Sequence, residues 1–329
     1  MQKSIIHVKN LSKTFVYHKK EEGLKGSLKA VFKRKKLTKQ AVKNVSIEIK
    51  KGEFVGFIGP NGAGKTTTLK MLSGILYPTE GDIKVAGHDP RRREESFKKK
   101  ISIVMGQKQQ LWPTLPAIET FNLYQRMYEI SEGPYRKRLK ELTELLDVVD
   151  QLKVQVRKLS LGQRMKFEII ASLLHNPKVL FLDEPTIGLD VVSQKKIREF
   201  LRKYNRVNKT TIILTSHYMD DVQDLCKRLI IINEGKLGYD GSIDKIINDY
   251  SNDKNIKISF YKKVDRNRLR VFGKVTKHSM YEAELSIPQE DSLDKISRLM
   301  AQLPVKDLNI KDVSLEEVIS DIFEKNKSI

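Results

Sequence analysis

The chain has very little cysteine and no long apolar run. Cys226 is the single cysteine among 329 residues, so the sequence excludes an intrachain disulfide and a zinc-binding cluster of thiolates. This usage is typical of a reducing compartment, and we expect a cytosolic protein. No stretch of about 18 or more apolar residues occurs, so the sequence predicts no membrane-spanning helix. The first residues also lack the apolar segment of a secretory signal.

Acidic residues are scarce relative to basic ones. The chain has 62 Lys and Arg against 41 Asp and Glu, which gives a net charge of +21. Such a charge predicts attraction to an anion, and the candidates are nucleic acid, an acidic membrane surface and a phosphorylated ligand. Two segments concentrate the charge, because residues 18–39 carry +7 and residues 91–100 carry +4.

Short apolar runs alternate with helical periodicity over residues 50–235. Buried strands are predicted at residues 54–58, 179–182, 211–215 and 229–232. Buried apolar strands separated by helices are typical of an α/β fold with a mostly parallel sheet. The sequence therefore predicts an α/β domain over this part of the chain.

Two further strands are predicted nearer the N-terminus, at residues 5–11 and 42–49, the second of them at a sheet edge. Residues 12–40 do not continue the strand pattern. We interpret residues 16–40, approximately, as a basic insert between the two strands.

The C-terminal part has a different pattern and no recognisable chemical motif. After a polar linker at residues 251–255, three short antiparallel strands are predicted over residues 256–290. A helix, a strand and a second helix follow, and Ser314 with Glu317 forms a capping box that starts the last helix. We expect residues 256–329 to be a small accessory α+β domain.

Residues 59–66, with the sequence GPNGAGKT, match the pattern G-x-x-x-x-G-K-[ST]. Glycines allow successive backbone N–H groups to turn towards phosphate oxygens, and the following helix adds its positive N-terminus. Lys65 can reach the terminal phosphates and the Thr66 hydroxyl can bind Mg²⁺. A chance glycine turn is the alternative, but a predicted strand precedes this loop and a helix follows it. The motif therefore predicts a nucleoside triphosphate with magnesium.

Asp183 and Glu184 follow directly after a predicted buried strand. Ligands bind at the carboxyl ends of parallel strands. One carboxylate there can hold a magnesium-bound water, and the next can polarise an attacking water. On its own such a pair is more often a helix cap or a solvated turn. The glycine loop favours the catalytic interpretation.

Three other features carry little weight separately. By itself, Gln107 is most simply interpreted as a polar loop residue and His217 as a surface histidine. Residues 159–163 (LSLGQ) are most simply interpreted as an ordinary helix start that Ser160 caps. Their order and spacing matter more. Ser160 lies 23 residues before Asp183, and His217 lies 33 residues after Glu184.

Taken together, these motifs resemble the ATPase subunit of an ATP-binding-cassette (ABC) transporter. Residues 59–66 are similar to its Walker A loop, Gln107 to its Q-loop glutamine, and residues 159–163 to its signature motif. Asp183 and Glu184 resemble the end of its Walker B strand, Asp190 its D-loop and His217 its switch histidine. Leu161 stands where the signature usually has a glycine.

The resemblance covers residues 1 to about 240. It implies a P-loop ABC cassette over residues 1–245, with a mostly parallel core sheet, an antiparallel N-terminal β part and a helical subdomain at about 107–175. It also implies that ATP and Mg²⁺ are bound. Either Phe15 or Tyr17 would stack on adenine, and we favour Phe15.

The resemblance implies a role for each site residue. The implied nucleotide-binding residues are Phe15, Asn61, Gly62, Gly64, Lys65, Thr66, Thr67, Ser160, Gly162, Gln163 and Asp190. The implied metal-binding residues are Thr66, Gln107 and Asp183, and the implied catalytic residues are Glu184, His217 and Gln107. Ser160 and Gly162 would reach the nucleotide of a second copy, in a head-to-tail homodimer.

More narrowly, the tracts at residues 106–112 and 182–192, with the small C-terminal domain, resemble ATPases of ABC-2 type exporters. This implies separate transmembrane permease subunits and a place on the cytoplasmic face of the membrane. Trp112 and Leu115 are candidate permease contacts, with core packing as the alternative for Trp112. We expect the 18–39 insert to face anionic lipid.

Two other functions compete with export. The net charge also fits a soluble ABC-type ATPase acting on nucleic acid or ribosomes. We expect no nucleic-acid partner, because relatives of that kind carry two cassettes, long coiled coils or zinc sites, and this chain has one cassette and one cysteine. A non-transporting regulatory ATPase is the third interpretation.

Overall fold

The computed structural model describes residues 4–18, 36–106, 108–250, 253–311 and 314–325. The chain divides into two compact units, Met1–Asp240 and Gly241–Ile329. The division falls shortly before residue 245, the predicted end of the cassette. Each unit is described by itself below.

The core of the first unit is a six-stranded sheet. In spatial order its strands are β5 (Ile101–Met105), β6 (Val179–Asp183), β7 (Thr211–Thr215), β3 (Phe54–Ile58), β8 (Arg228–Asn233) and β9 (Lys236–Ser242). The four pairings from β5 to β8 are all parallel. Strands β3 and β7 are buried along their whole length, which explains their continuous apolar sequences. The predicted α/β fold with a mostly parallel sheet is confirmed.

A second, antiparallel sheet packs into the same apolar core. Its strands are β1 (Ser4–His18), β2 (Lys36–Lys50) and β4 (Glu80–Val85), in the order β2-β1-β4. Strand β2 is at the edge, as predicted. The structure corrects the predicted lengths, because β1 and β2 stay paired as far as His18 and Lys36. Side chains there, such as Val16 at 60% exposure, are open to solvent, so no apolar alternation marks the extension. Of the basic insert, residues 19–35 lie outside the described residues.

Helices connect the parallel strands. They are α1 (Lys65–Leu72), α2 (Glu95–Lys98), α3 (Ala117–Met127), α4 (Glu132–Leu145), α5 (Leu161–Leu173), α6 (Val191–Asn208) and α7 (Met219–Leu225). The predicted helical subdomain contains α3, α4 and α5. Within the described ranges, no helix of either unit combines the length and apolar character needed to cross a membrane.

The second unit is a small α+β structure. An antiparallel sheet has the order β11 (Lys274–His278), β12 (Glu282–Pro288), β10 (Asp253–Phe260) and β13 (Val305–Lys311). Its helices are α8 (Ile243–Tyr250), α9 (Arg266–Leu269), α10 (Ser292–Gln302) and α11 (Leu315–Lys325). The predicted capping box is present, since Ser314 N donates to Glu317 Oε2 at 3.1 Å and Glu317 N donates to Ser314 Oγ at 3.2 Å.

Candidate active site

Residues 59–66 form the glycine-rich loop, named here the phosphate loop after its sequence motif. They lead from the end of β3 into the first turn of α1. A Cβ atom at Gly59 would lie 2.1 Å from the Ile232 carbonyl oxygen, and one at Gly64 would lie 2.5 Å from the Ala41 carbonyl oxygen. Gly64 also has φ of 107°, which a residue with a side chain rarely adopts. Neighbouring backbone therefore leaves no room for side chains at these positions, and the loop presents its own backbone to the space in front of α1.

Lys65 is the buried cation of this loop. It is 6% exposed, and its Nζ donates to the Gly59 carbonyl oxygen at 2.6 Å and the Pro60 carbonyl oxygen at 3.2 Å. Burial lowers the pKa of Lys65 from its usual value, while the carboxylates of Glu184 and Asp183 oppose this shift. The ammonium group is thus held against the phosphate loop and close to two carboxylates.

Asp183 ends strand β6 and accepts hydrogen bonds from two threonines. Thr66 Oγ1 donates to Asp183 Oδ2 at 2.9 Å, and Thr215 Oγ1 donates to Asp183 Oδ1 at 2.7 Å. Thr215 is opposite Asp183 in the parallel ladder of β6 and β7. One carboxylate and one hydroxyl beside a phosphate loop form the oxygen-rich set that Mg²⁺ prefers when substrate phosphates supply further ligands.

Glu184 has a constrained backbone. Its φ is 57°, in the left-handed region, and its N–H donates to the Thr215 carbonyl oxygen at 3.0 Å. A Cβ atom on Gly106 would lie 2.1 Å from the Glu184 carbonyl oxygen, so this contact requires glycine. The Glu184 side chain is 16% exposed, and its Oε1 lies 2.7 Å from His217 Nε2. Backbone strain of this kind, at a carboxylate paired with a histidine, is common at active sites.

One cavity of about 500 Å³ brings most of these residues together. Its walls are Phe15, Lys39, Ala41, Asn61, Gly62, Ala63, Gly64, Lys65, Thr66, Thr67, Glu184, Ile187 and His217. Of the two aromatic candidates, Phe15 lines the cavity and Tyr17 does not. The Lys13 ammonium lies 5.3 Å from the centre of the Phe15 ring.

Sequence reasoning missed Lys39 as a wall residue. It lies opposite Phe15 in the β1–β2 ladder, so its place depends on a pairing that the sequence pattern did not show. Thr215 was also missed. A signal existed for Thr215, since β6 and β7 were both predicted and the last residues of neighbouring parallel strands meet at one edge.

The signature residues form a separate structure. Ser160 caps α5, because Gln163 N donates to Ser160 Oγ at 3.2 Å and Ser160 N donates to Gln163 Oε1 at 3.0 Å. A Cβ atom on Gly162 would lie 2.5 Å from Ser193 Oγ, at the start of α6. Ser160, Gly162 and Gln163 are not among the described residues that line the cavity.

Asp190 lies beside the signature. It caps α6 by accepting hydrogen bonds from Ser193 N at 2.9 Å and Ser193 Oγ at 2.6 Å, and these bonds lower the pKa of Asp190. Asp190 does not line the cavity either. Leu161, where the signature usually has glycine, is near enough to contact a Cβ atom placed on Gly188. The structure thus joins the signature to the D-loop and keeps both outside the walls of the same chain's cavity.

Gln107 lies outside the described residues, so its predicted role stays a prediction. The preceding residue, Gly106, donates its N–H to the Asp183 carbonyl oxygen at 2.8 Å, which places Gly106 beside the carboxyl end of strand β6. Trp112 is 48% exposed and Leu115 is 38% exposed. Core packing is therefore not the role of Trp112.

Comparison with known proteins identifies the family. The ABC transporter family matches residues 42–187, and the family "EvrA-like ABC transporter, C-terminal domain" matches residues 252–311. The chain is 36% identical to the ABC transporter ATP-binding protein NatA of Bacillus subtilis (strain 168), over 65% of this chain and 87% of NatA. It is 32% identical to the linearmycin resistance ATP-binding protein LnrL of the same organism, over 85% of this chain and 90% of LnrL.

Solved structures of ATP-binding cassettes are also similar to this chain. The ATP-binding cassette MJ0796, in a dimeric post-hydrolysis state bound to ADP and Pi, superposes with a TM-score of 0.59 at 27% identity. That match covers 72% of this chain and 98% of MJ0796. The chain belongs to the ATP-binding proteins of ABC transporters. It is an ATPase of this family, and ATP is its nucleotide.

Proposed function

We propose that this chain hydrolyses ATP to drive an ABC-2 type exporter from the cytoplasmic face of the membrane, through separate permease subunits. The paired side chains of Glu184 and His217, in one cavity with the phosphate loop, carry the proposal. The similarity to LnrL, an ATP-binding protein of linearmycin resistance, extends through most of the chain and supports export.

The residues of the cavity fit ATP with magnesium. Backbone N–H groups of the phosphate loop and the Lys65 ammonium would bind the phosphates, and Phe15 would stack on adenine. Asp183, Thr66 and Gln107 would hold Mg²⁺, and the Thr66–Asp183 hydrogen bond already places two of these side chains together. When bound, Mg²⁺ neutralises charge on the phosphate oxygens.

Glu184 is the proposed general base. Its carboxylate would accept a proton from water as the water oxygen bonds to the γ-phosphorus and the bond from that phosphorus to the ADP oxygen breaks. His217 Nε2, 2.7 Å from Glu184 Oε1, would orient this carboxylate and contact the γ-phosphate. The products are ADP and phosphate.

The signature residues would act in a second copy of the chain. Ser160, Gly162, Gln163 and Asp190 are absent from the cavity walls of their own chain, whereas family resemblance gives them nucleotide contacts. A two-fold homodimer would bring them to the partner's cavity, so that each ATP is held by both chains. Bound ATP would then favour the closed dimer, and hydrolysis would release it. The dimeric MJ0796 cassette supports this arrangement.

Exposed apolar side chains of the helical subdomain are the proposed permease contact. Trp112 and Leu115 are partly exposed on the segment that follows Gly106 and precedes α3. A movement of the Glu184 backbone would reach this segment, because the Glu184 carbonyl oxygen lies against Gly106.

Purification of the tagged chain from membranes in detergent tests the export proposal. We expect apolar membrane subunits to co-purify, and the double substitution Trp112→Ala and Leu115→Ala to reduce their recovery while ATP binding persists. Tyr261→Ala, at an exposed aromatic of the second unit, is the matched control. Recovery of RNA or ribosomes without membrane subunits would instead support the nucleic-acid ATPase.

Substitutions in the basic insert test separately whether this chain binds an anionic membrane surface. Each Lys or Arg near anionic lipid contributes about 1 kcal/mol of binding. Replacing Lys25, Lys29, Lys33 and Lys35 by Gln should weaken sedimentation with phosphatidylserine vesicles, with ATP hydrolysis retained. Undiminished sedimentation would contradict a lipid contact by the insert, and a salt-dependent shift on RNA would point to nucleic acid.

A further inference from the structure

Asp221, on helix α7, is a buried carboxylate that the proposed mechanism does not use. Its exposure is 0%, and burying a carboxylate is costly unless it is paired and hydrogen-bonded. We propose that Asp221 is a positioning residue, which holds together the two loops that carry Glu184 and His217. This inference rests on the catalytic roles proposed for those two residues.

Three side chains satisfy the Asp221 carboxylate. Thr186 Oγ1 and Ser216 Oγ both donate to Asp221 Oδ2, the second at 2.8 Å. Arg198 Nη1, on helix α6, donates to Asp221 Oδ1 at 2.9 Å, and Arg198 Nε lies 2.9 Å from Asp224 Oδ2. Arg198 is itself almost buried, so this ion pair is little screened by solvent.

The two hydroxyl donors lie next to the catalytic pair. Thr186 is two residues after Glu184, and Ser216 directly precedes His217. Ser216 Oγ also accepts a hydrogen bond from Tyr218 N at 3.0 Å, which fixes the backbone on the other side of His217. A single oxygen, Asp221 Oδ2, therefore joins the segment after β6 to the segment after β7.

This arrangement differs from an ion pair that only joins two helices. Arg198 with Asp221 would be enough to hold α6 against α7. The two hydroxyls add a link from Asp221 to both active-site loops, and the distance of 2.7 Å between His217 Nε2 and Glu184 Oε1 depends on where those loops lie. A displacement of about 1 Å in a reacting geometry can lower a rate about 100-fold.

The substitution Asp221→Asn tests the role, because it keeps the shape and removes the charge. At saturating Mg²⁺ and ATP we expect kcat to fall on the order of 10- to 100-fold. The dissociation constant for ATP should stay within about twofold, since the phosphate loop is untouched. Thr186→Val removes the hydrogen bond of Thr186 to Asp221, and Ser216→Ala removes both the bond of Ser216 to Asp221 and the bond that Ser216 accepts from Tyr218 N. Each substitution should lower kcat by a smaller factor than Asp221→Asn, again without a change in ATP affinity.

The matched control is Asp240→Asn. Asp240 Oδ1 lies 2.7 Å from Arg228 Nε in the same unit, and neither residue lines the cavity. This control should lower the unfolding temperature and leave kcat unchanged. If Asp221→Asn behaved like the control, with lower stability and unchanged kcat, the positioning role would be overturned.

Two further outcomes are decisive. If Asp221→Asn does not fold, Thr186→Val and Ser216→Ala carry the test, and unchanged kcat in both would overturn the role. If Glu184→Gln hydrolyses ATP at the wild-type rate, the assignment of the base fails instead. That failure is recognised independently of any variant at Asp221.

Discussion

His217 Nε2 lies 2.7 Å from Glu184 Oε1. The two residues follow different strands, β6 and β7, and are 33 positions apart in the sequence. Strands β6 and β7 are parallel neighbours with Asp183 opposite Thr215, so the residues that follow them emerge at the same edge of the sheet. Two sequence features that were weak separately are thus joined by the topology of the sheet.

Replacing His217 by Ala should lower the rate of ATP hydrolysis by about 100-fold or more, because Glu184 loses the group that orients it. ATP affinity, measured by calorimetry, should change little, since Lys65 and the phosphate loop remain. The matched control is His7→Ala, which removes another histidine paired with a glutamate, His7 Nδ1 lying 3.5 Å from Glu48 Oε1. Hydrolysis at the wild-type rate by His217→Ala would contradict its role.

Gly106→Ala should damage the site without touching a catalytic side chain. The new Cβ would lie 2.1 Å from the Glu184 carbonyl oxygen, so backbone has to move. We expect hydrolysis to fall on the order of 100-fold and the free energy of unfolding to decrease by about 1–3 kcal/mol. Steady-state hydrolysis and denaturant unfolding measure the two effects.

The control for this substitution is Gly133→Ala in helix α4. Nothing apart from its chain neighbours lies within 4 Å of a Cβ atom there, and Gly133 does not line the cavity, so hydrolysis should stay at the wild-type rate. Gly106→Ala with full activity would show that Glu184 tolerates displacement, against the proposed geometry.

Phe15 and Tyr17 are distinguished by their effect on ATP affinity. Phe15→Ala should weaken ATP binding on the order of tenfold, because the stacking surface in the cavity is lost. Tyr17→Ala should leave the affinity unchanged. Binding of inorganic triphosphate, which has no base, should be the same in both variants. The opposite pattern would place the adenine on Tyr17.

Local motifs made much of this site predictable. The glycine loop, the carboxylates after β6 and the Ser314–Glu317 capping box are each encoded within a few residues, so sequence spacing was enough to find them. Lys39 and Asp221 were not predictable in this way. Lys39 lines the cavity because β1 and β2 stay paired beyond the expected end of β1. Asp221 accepts a hydrogen bond from Thr186, which is 35 residues away in the sequence. Such contacts exist only once the fold is formed.

The molar mass of the Glu184→Gln variant in solution, with and without ATP, tests most directly whether two chains form a dimer in which both hold each ATP. Loss of the base should stop hydrolysis and leave ATP binding intact, so that closed dimers accumulate. Light scattering after chromatography should show a monomer without ATP and a dimer with ATP. Adding Ser160→Arg should block the dimer while each chain still binds ATP. An ATP-saturated Glu184→Gln chain that stays monomeric would contradict the shared site.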